Sequence, residues 1–123
     1  MATMAIEVKA LQVITTVDDR DKAHELARAL VEARLAACAQ VVGPIRSYYW
    51  WQGRLEEAEE WLLQLKTRPE LYDELEAALR ARHPYTVPEI LAFPVARGHA
   101  GYLEWLQRET QPDADGDGGR ARP

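Results

Sequence analysis

The chain has 123 residues, 47% of them hydrophobic, which suits one domain with one buried core and leaves no length for a second. Twenty acidic side chains against 15 basic ones give a net charge of -5, so phosphate backbones and anionic lipid are repelled, and neither nucleic acid nor a membrane is an expected partner. A single cysteine, Cys38, excludes an intrachain disulfide framework, and the lack of a Cys-x-x-Cys or His/Cys-rich tract excludes a closed structural zinc site.

Met1 to Lys9 lacks the charged-then-apolar layout of a secretory signal, and no run approaches ~18 apolar residues, so a cytoplasmic protein is expected. Ile6 to Val17 is the first predicted strand: Val8, Ala10, Gln12, Ile14 and Thr16 alternate with Lys9, Leu11, Val13, Thr15 and Val17, the second set being the more apolar. Asp18 or Asp19 offers a helix-capping carboxylate, and Ala23, Leu26, Ala27, Leu30 and Val31 then fall on one helical face ending near Arg34. Leu35 to Val42 is read as a strand stopped by Gly43-Pro44. Ile45 to Trp51, the turn Gln52-Gly53 and the strand Trp61 to Lys66 make a long hairpin. Thr67-Arg68-Pro69-Glu70 has the spacing of a capping box. It opens a second helix with a stripe of Leu71, Leu75, Ala78 and Leu79, ended by His83-Pro84. Tyr85 to Val95 is a predicted edge strand, since Pro88 and Pro94 cannot donate to a ladder. After Gly98, Tyr102, Leu103 and Leu106 form a short third helix with Trp105 beside them.

The order strand, helix, hairpin, helix, strand predicts an α+β, ferredoxin-like (β-α-β-β-α-β) sandwich with an appended C-terminal helix, both main helices packing on one face of the sheet. The domain is expected to span residues 1–110, and the tail 111–123, polar and rich in Asp and Gly, is expected to be disordered. The second sheet face is left bare. With Trp50, Trp51, Trp61 and Tyr48 or Tyr49 on exposed positions it would be a large apolar patch on a monomer, so self-association is predicted. Nucleophile-elbow, phosphate-loop and zinc-hydrolase motifs are all missing, and the chain is not expected to be an enzyme.

Five short blocks, Arg34-Leu-Ala-Ala-Cys38, Ser47-Tyr-Tyr-Trp-Trp-Gln-Gly53, Leu65-Lys66-Thr67, His83-Pro-Tyr-Thr-Val-Pro-Glu-Ile90 and Tyr102-Leu-Glu-Trp105, occur in the order and spacing of the CutA family of divalent-cation tolerance proteins. The chain resembles that family from about Leu11 to Arg108. The resemblance implies a homotrimer similar to the PII signalling proteins, with hairpins of neighbouring subunits joined into continuous sheets. It also implies a part in the response to divalent metal ions, with copper as the metal. A PII-like scaffold that binds a small ligand or partner protein in its inter-subunit clefts is the alternative.

Two residues are candidate metal ligands. Cys38 is either a small buried hydrophobe or a soft copper ligand. His83 either favours its helix C-terminus or serves as an imidazole ligand at the cleft. Some metal-associated members of the family carry a cysteine where this chain has Thr15 and a second histidine where it has Arg82. A hydroxyl and a guanidinium are poor copper ligands, so the expected copper binding is weak. Glu60 and Lys66, an even number of residues apart on one strand, point to one face, and the resemblance places both in the inter-subunit cleft with Trp51 and Tyr85. The acidic run Glu56, Glu57, Glu59 and Glu60 otherwise reads as solvated surface, and His24 and His99 receive no role.

Overall fold

The computed structural model describes residues 7–112, so of the tail expected to be disordered all but the first two residues lie outside the described part. The elements run β1 (Leu11–Val17), α1 (Arg20–Glu32), β2 (Cys38–Trp51), β3 (Arg54–Thr67), a 3-10 turn (Pro69–Leu71), α2 (Tyr72–Arg82), β4 (Leu91–Pro94) and α3 (Ala100–Glu109). The four strands form one sheet in the order β2-β3-β1-β4, every neighbouring pair antiparallel, which is the ferredoxin-like arrangement.

Cross-strand register assigns each residue a face. Val13, Val17, Leu63 and Leu65 point to one side, where they are buried against Ala23, Leu26 and Leu30 of α1 and Leu75 and Leu79 of α2. Helix α1 starts where expected because Oδ1 of Asp19 accepts the backbone N–H groups of Asp21 and Lys22. Helix α3 begins at an unforeseen cap: Nδ1 of His99 accepts the backbone N–H of Tyr102 at 3.2 Å, which gives that histidine a structural role. Leu106 of α3 closes a second small core with Ala10 and Ala37.

Several expectations need correction, that of an exposed Trp61 among them. The first strand starts at Leu11 and not at Ile6; residues 7–10 are not in a strand. Gly43-Pro44 does not end a strand but makes a bulge inside β2, whose register with β3 shifts between Val42 and Ile45. Accordingly β3 is about twice as long as Trp61 to Lys66. Trp61 is half-buried against the core, lying over Gly43, where any Cβ would collide with its indole, so the bulge needs glycine for close approach. The Thr67 hydroxyl donates to the Leu35 carbonyl at 2.7 Å instead of capping α2. Thr67 points into the core side of β3, and Pro69 already removes one orphan N–H from the turn that starts α2. Finally, β4 is only Leu91–Pro94, because Pro84 and Pro88 keep the preceding segment out of the ladder.

The opposite sheet face has no helix over it. Cys38, Gln40 and Val42 of β2, Leu62 and Lys66 of β3, Ile14 of β1 and Leu91 and Phe93 of β4 lie there, and Val42, Leu91 and Phe93 are exposed. Beyond the bulge, residues 45–51 and 54–60 pair only with each other, so the far half of the hairpin is a two-stranded ribbon. Its tip exposes Trp50 by 73%, with its cross-strand partner Leu55 also exposed.

Candidate functional site

The open face ends in a cleft of about 570 Å³. Three elements build it. Period-2 alternation turns Tyr49 and Trp51 of β2 and Glu60 of β3 to the same side of the ribbon, Thr16 comes from the end of β1, and the irregular segment before β4 supplies Tyr85 and Glu89. β4 pairs with β1 only as far as Ile14. The remaining edge of β1 is free for the chain leaving α2, and that chain carries His83 and Tyr85 across it.

Glu60 is 5% exposed, which separates it from Glu57 and Glu59 on the solvated part of the acidic run. The Tyr85 hydroxyl donates to its Oε2 at 2.6 Å. Burial above all, with the Glu60 hydrogen bond and charge adding to it, raises the Tyr85 ionisation far above the usual phenol range and keeps that hydroxyl a proton donor.

His83 holds the cleft wall from behind. It is 9% exposed, and its Nδ1 accepts the backbone N–H of Tyr85 at 3.1 Å. The proton therefore belongs on Nε2, which lies 2.9 Å from the Thr15 hydroxyl and 3.0 Å from the Thr16 carbonyl. Burial lowers its pKa, against the opposing effects of the Thr16 carbonyl and the carboxylates of Glu60 and Asp18. The sign follows from linkage. The unfolded imidazole takes up a proton near its ordinary value of about 6.5 while the folded one resists it, so stability is full above that pH and falls as the pH drops through the lower, folded value. Melting temperatures of wild type measured downward from neutral pH should therefore decline, and the decline should be shallower in His83→Gln; an unchanged slope would disprove this linkage.

The structure brings Trp51, Glu60 and Tyr85 together, with His83 directly behind Tyr85. Lys66 shares the face of Glu60, as its even spacing requires, but stands roughly 20 Å along the strand and donates to the Gln40 amide oxygen. Cys38 is half-buried beside Lys66 at the start of β2, whereas His83 contacts Thr15 on the helix-covered side, so the two do not meet. Among the described residues no three His, Cys, Asp or Glu side chains are grouped to hold a metal ion. With both ring nitrogens of His83 engaged, these donors do not fit a tight copper centre within one chain. Tyr49, Thr16 and Glu89 escaped the sequence reading, as did the hydrogen bond that makes Thr15 a partner of His83; the Tyr49-Trp51 alternation was the signal for the first.

Comparison with known proteins identifies the family and agrees with the fold. The family model described as CutA1 divalent ion tolerance protein matches residues 11–109. The chain is 46% identical over 98 residues to the "Divalent-cation tolerance protein CutA" of Thermus thermophilus, covering 80% of this chain and 95% of that one. It is 43% identical over 93 residues to human "Protein CutA", there covering 76% of this chain but only 52% of the relative. Among solved structures, the Thermus thermophilus divalent cation tolerance protein superposes with a TM-score of 0.81 at 44% identity, over 83% of this chain and 99% of that one. The "Periplasmic divalent cation tolerance protein CutA" of Archaeoglobus fulgidus gives 0.80 at 34% identity, over 83% and 99%. The match runs through every element from β1 to α3, and on this ground the chain belongs to the CutA1 divalent ion tolerance protein family.

Proposed function

We propose that this family member acts as a homotrimer in the response to divalent metal ions and binds copper only weakly. The observation that carries the assembly is the uncovered sheet face: Val42, Leu91 and Phe93 in one apolar strip, continued by an aromatic ribbon that has no other element of its own chain across it. A neighbour seated on that strip would close the rim of the cleft and make it an inter-subunit site. Copper would reach His83 there only by displacing a hydrogen bond already made, and Thr15 and Arg82 offer no further ligand. Weak affinity is the consequence.

Calorimetric titration with divalent copper, on wild type, His83→Ala and Cys38→Ser, tests the metal. The heat should be small and saturate late, affinity should fall as the pH drops below the histidine range, and His83→Ala should remove most of that pH dependence. Loss of copper in Cys38→Ser with retention in His83→Ala would show the ligand assignment to be wrong.

A second reading has its own support. A cleft whose floor is a buried carboxylate and whose walls are aromatic is a small-molecule site in form, and it favours a PII-like scaffold that binds a ligand between subunits.

A further inference from the structure

Within its own chain the Glu60 carboxyl group meets no cationic side chain among the described residues. Its side chain is nearly buried, its one hydrogen-bond partner is the Tyr85 hydroxyl, and it makes no ion pair among the described residues. Among the described residues of the chain no lysine or arginine lines the cleft, and Glu89 adds a second carboxylate at its edge. Asp18 contributes further negative charge, felt at both His83 and Tyr85, while the basic group felt at His83, Lys22, is already paired with Glu25 at 3.4 Å. The aromatic walls are Tyr49, Trp51 and Tyr85, and the faces of such rings are themselves negative. Every charged or polarised surface that this chain gives the cleft thus favours a cation.

The chemistry of the lining decides which cation. A divalent metal needs several oxygen, nitrogen or sulfur ligands, and no three His, Cys, Asp or Glu side chains are grouped to supply them among the described residues, Glu89 standing only at the edge. An ammonium ion with an apolar body needs what is present: an acceptor for N–H at one end and aromatic faces for the rest. We infer that the cleft takes a small organic ammonium ion, its N–H groups donating to Glu60 and its apolar body lying against Tyr49 and Trp51. This rests on the scaffold reading, in which the cleft is a ligand site. The cleft's 570 Å³ accommodates an amine of one-ring size.

The full chain is titrated with phenethylammonium, 3-phenylpropionate and 3-phenylpropan-1-ol, three probes of similar shape and different charge, by calorimetry and ligand-observed NMR. Phenethylammonium should bind about tenfold or more tighter than either of the others. Glu60→Gln, near-isosteric and still able to accept from Tyr85, should erase that preference without changing the affinity for the alcohol. Trp51→Leu, on the exposed ribbon, should weaken the ammonium severalfold and serves as an independent arm if Glu60→Gln does not fold. If the alcohol binds as well as the ammonium, the ligand site stands and the cationic class falls. If the carboxylate binds best, and Lys66→Met abolishes its binding, a neighbour's lysine supplies the missing charge and the inference is overturned. Binding of none of the three would remove this inference and the scaffold reading together.

Discussion

Leu91→Glu combined with Phe93→Glu should leave a folded protein that sediments as a single chain, where the proposed trimer predicts about three chain masses for wild type. Both side chains are already exposed on β4, so in one chain the substitutions replace solvent-facing apolar groups and cost little. Their effect falls on whatever lies against the strip. Each introduced carboxylate would have to be desolvated at an apolar contact with no basic partner within the strip itself, and the penalty is repeated at every interface of a symmetric assembly. Sedimentation velocity at micromolar concentration, with circular dichroism as the control for folding, measures the outcome. If the double variant keeps the wild-type mass, the strip is not the assembly surface. A wild-type protein that is itself a stable single chain would remove the trimer altogether.

Leu79→Ala should lower stability by about 2–5 kcal/mol, read from urea denaturation at fixed chain concentration. Leu79 is fully buried, and with Leu75 it provides the buried contacts of α2 on the sheet. Truncation removes the transfer free energy of its methyl groups and leaves a cavity in the core between α2 and the sheet that a short helix can only partly close. The same residue bears on the cleft, because its carbonyl accepts the His83 N–H at 2.8 Å at the point where α2 stops. A loss of less than about 1 kcal/mol would mean that α2 is held mainly by its ends and not by this core.

These two residues also show what could be read in advance. Leu79 was legible because helical periodicity is a local property: the stripe of Leu71, Leu75, Ala78 and Leu79 identified α2, and the His-Pro pair fixed its end, before any partner was known. The same holds for Asp19 at α1 and for the antiparallel ferredoxin-like order. What escaped depended on contacts distant in sequence. The Thr67-x-x-Glu70 spacing satisfied the local rule for a capping box, but the Leu35 carbonyl competed for the hydroxyl from 32 residues away. Gly43-Pro44 has the composition of a stop, yet pairing with β3 resumes beyond it, and the Trp61 indole packed over Gly43 shows why a glycine stands in that bulge. In the cleft, Trp51, Glu60 and Tyr85 were grouped by resemblance and do meet. The placement of Lys66 required the register as well as the face, because period-2 alternation states which side a residue takes and not how far along the strand it stands.

The free-standing ribbon beyond the bulge bears on how the cleft is kept in order. A two-stranded hairpin is marginal by itself in water, and here residues 45–51 and 54–60 have no third strand of their own chain beside them. Local opening of that arm therefore needs far less free energy than opening of the four-stranded body. Tyr49, Trp51 and Glu60 are all mounted on the arm, while Tyr85 and His83 are fastened to the body through Thr15 and Thr16. The two halves of the cleft thus stand on parts of unequal local stability, and a molecule bridging Glu60 and Tyr85 ties the weaker to the stronger. Occupancy of the cleft and rigidity of the arm become linked quantities, each raising the other by mass action.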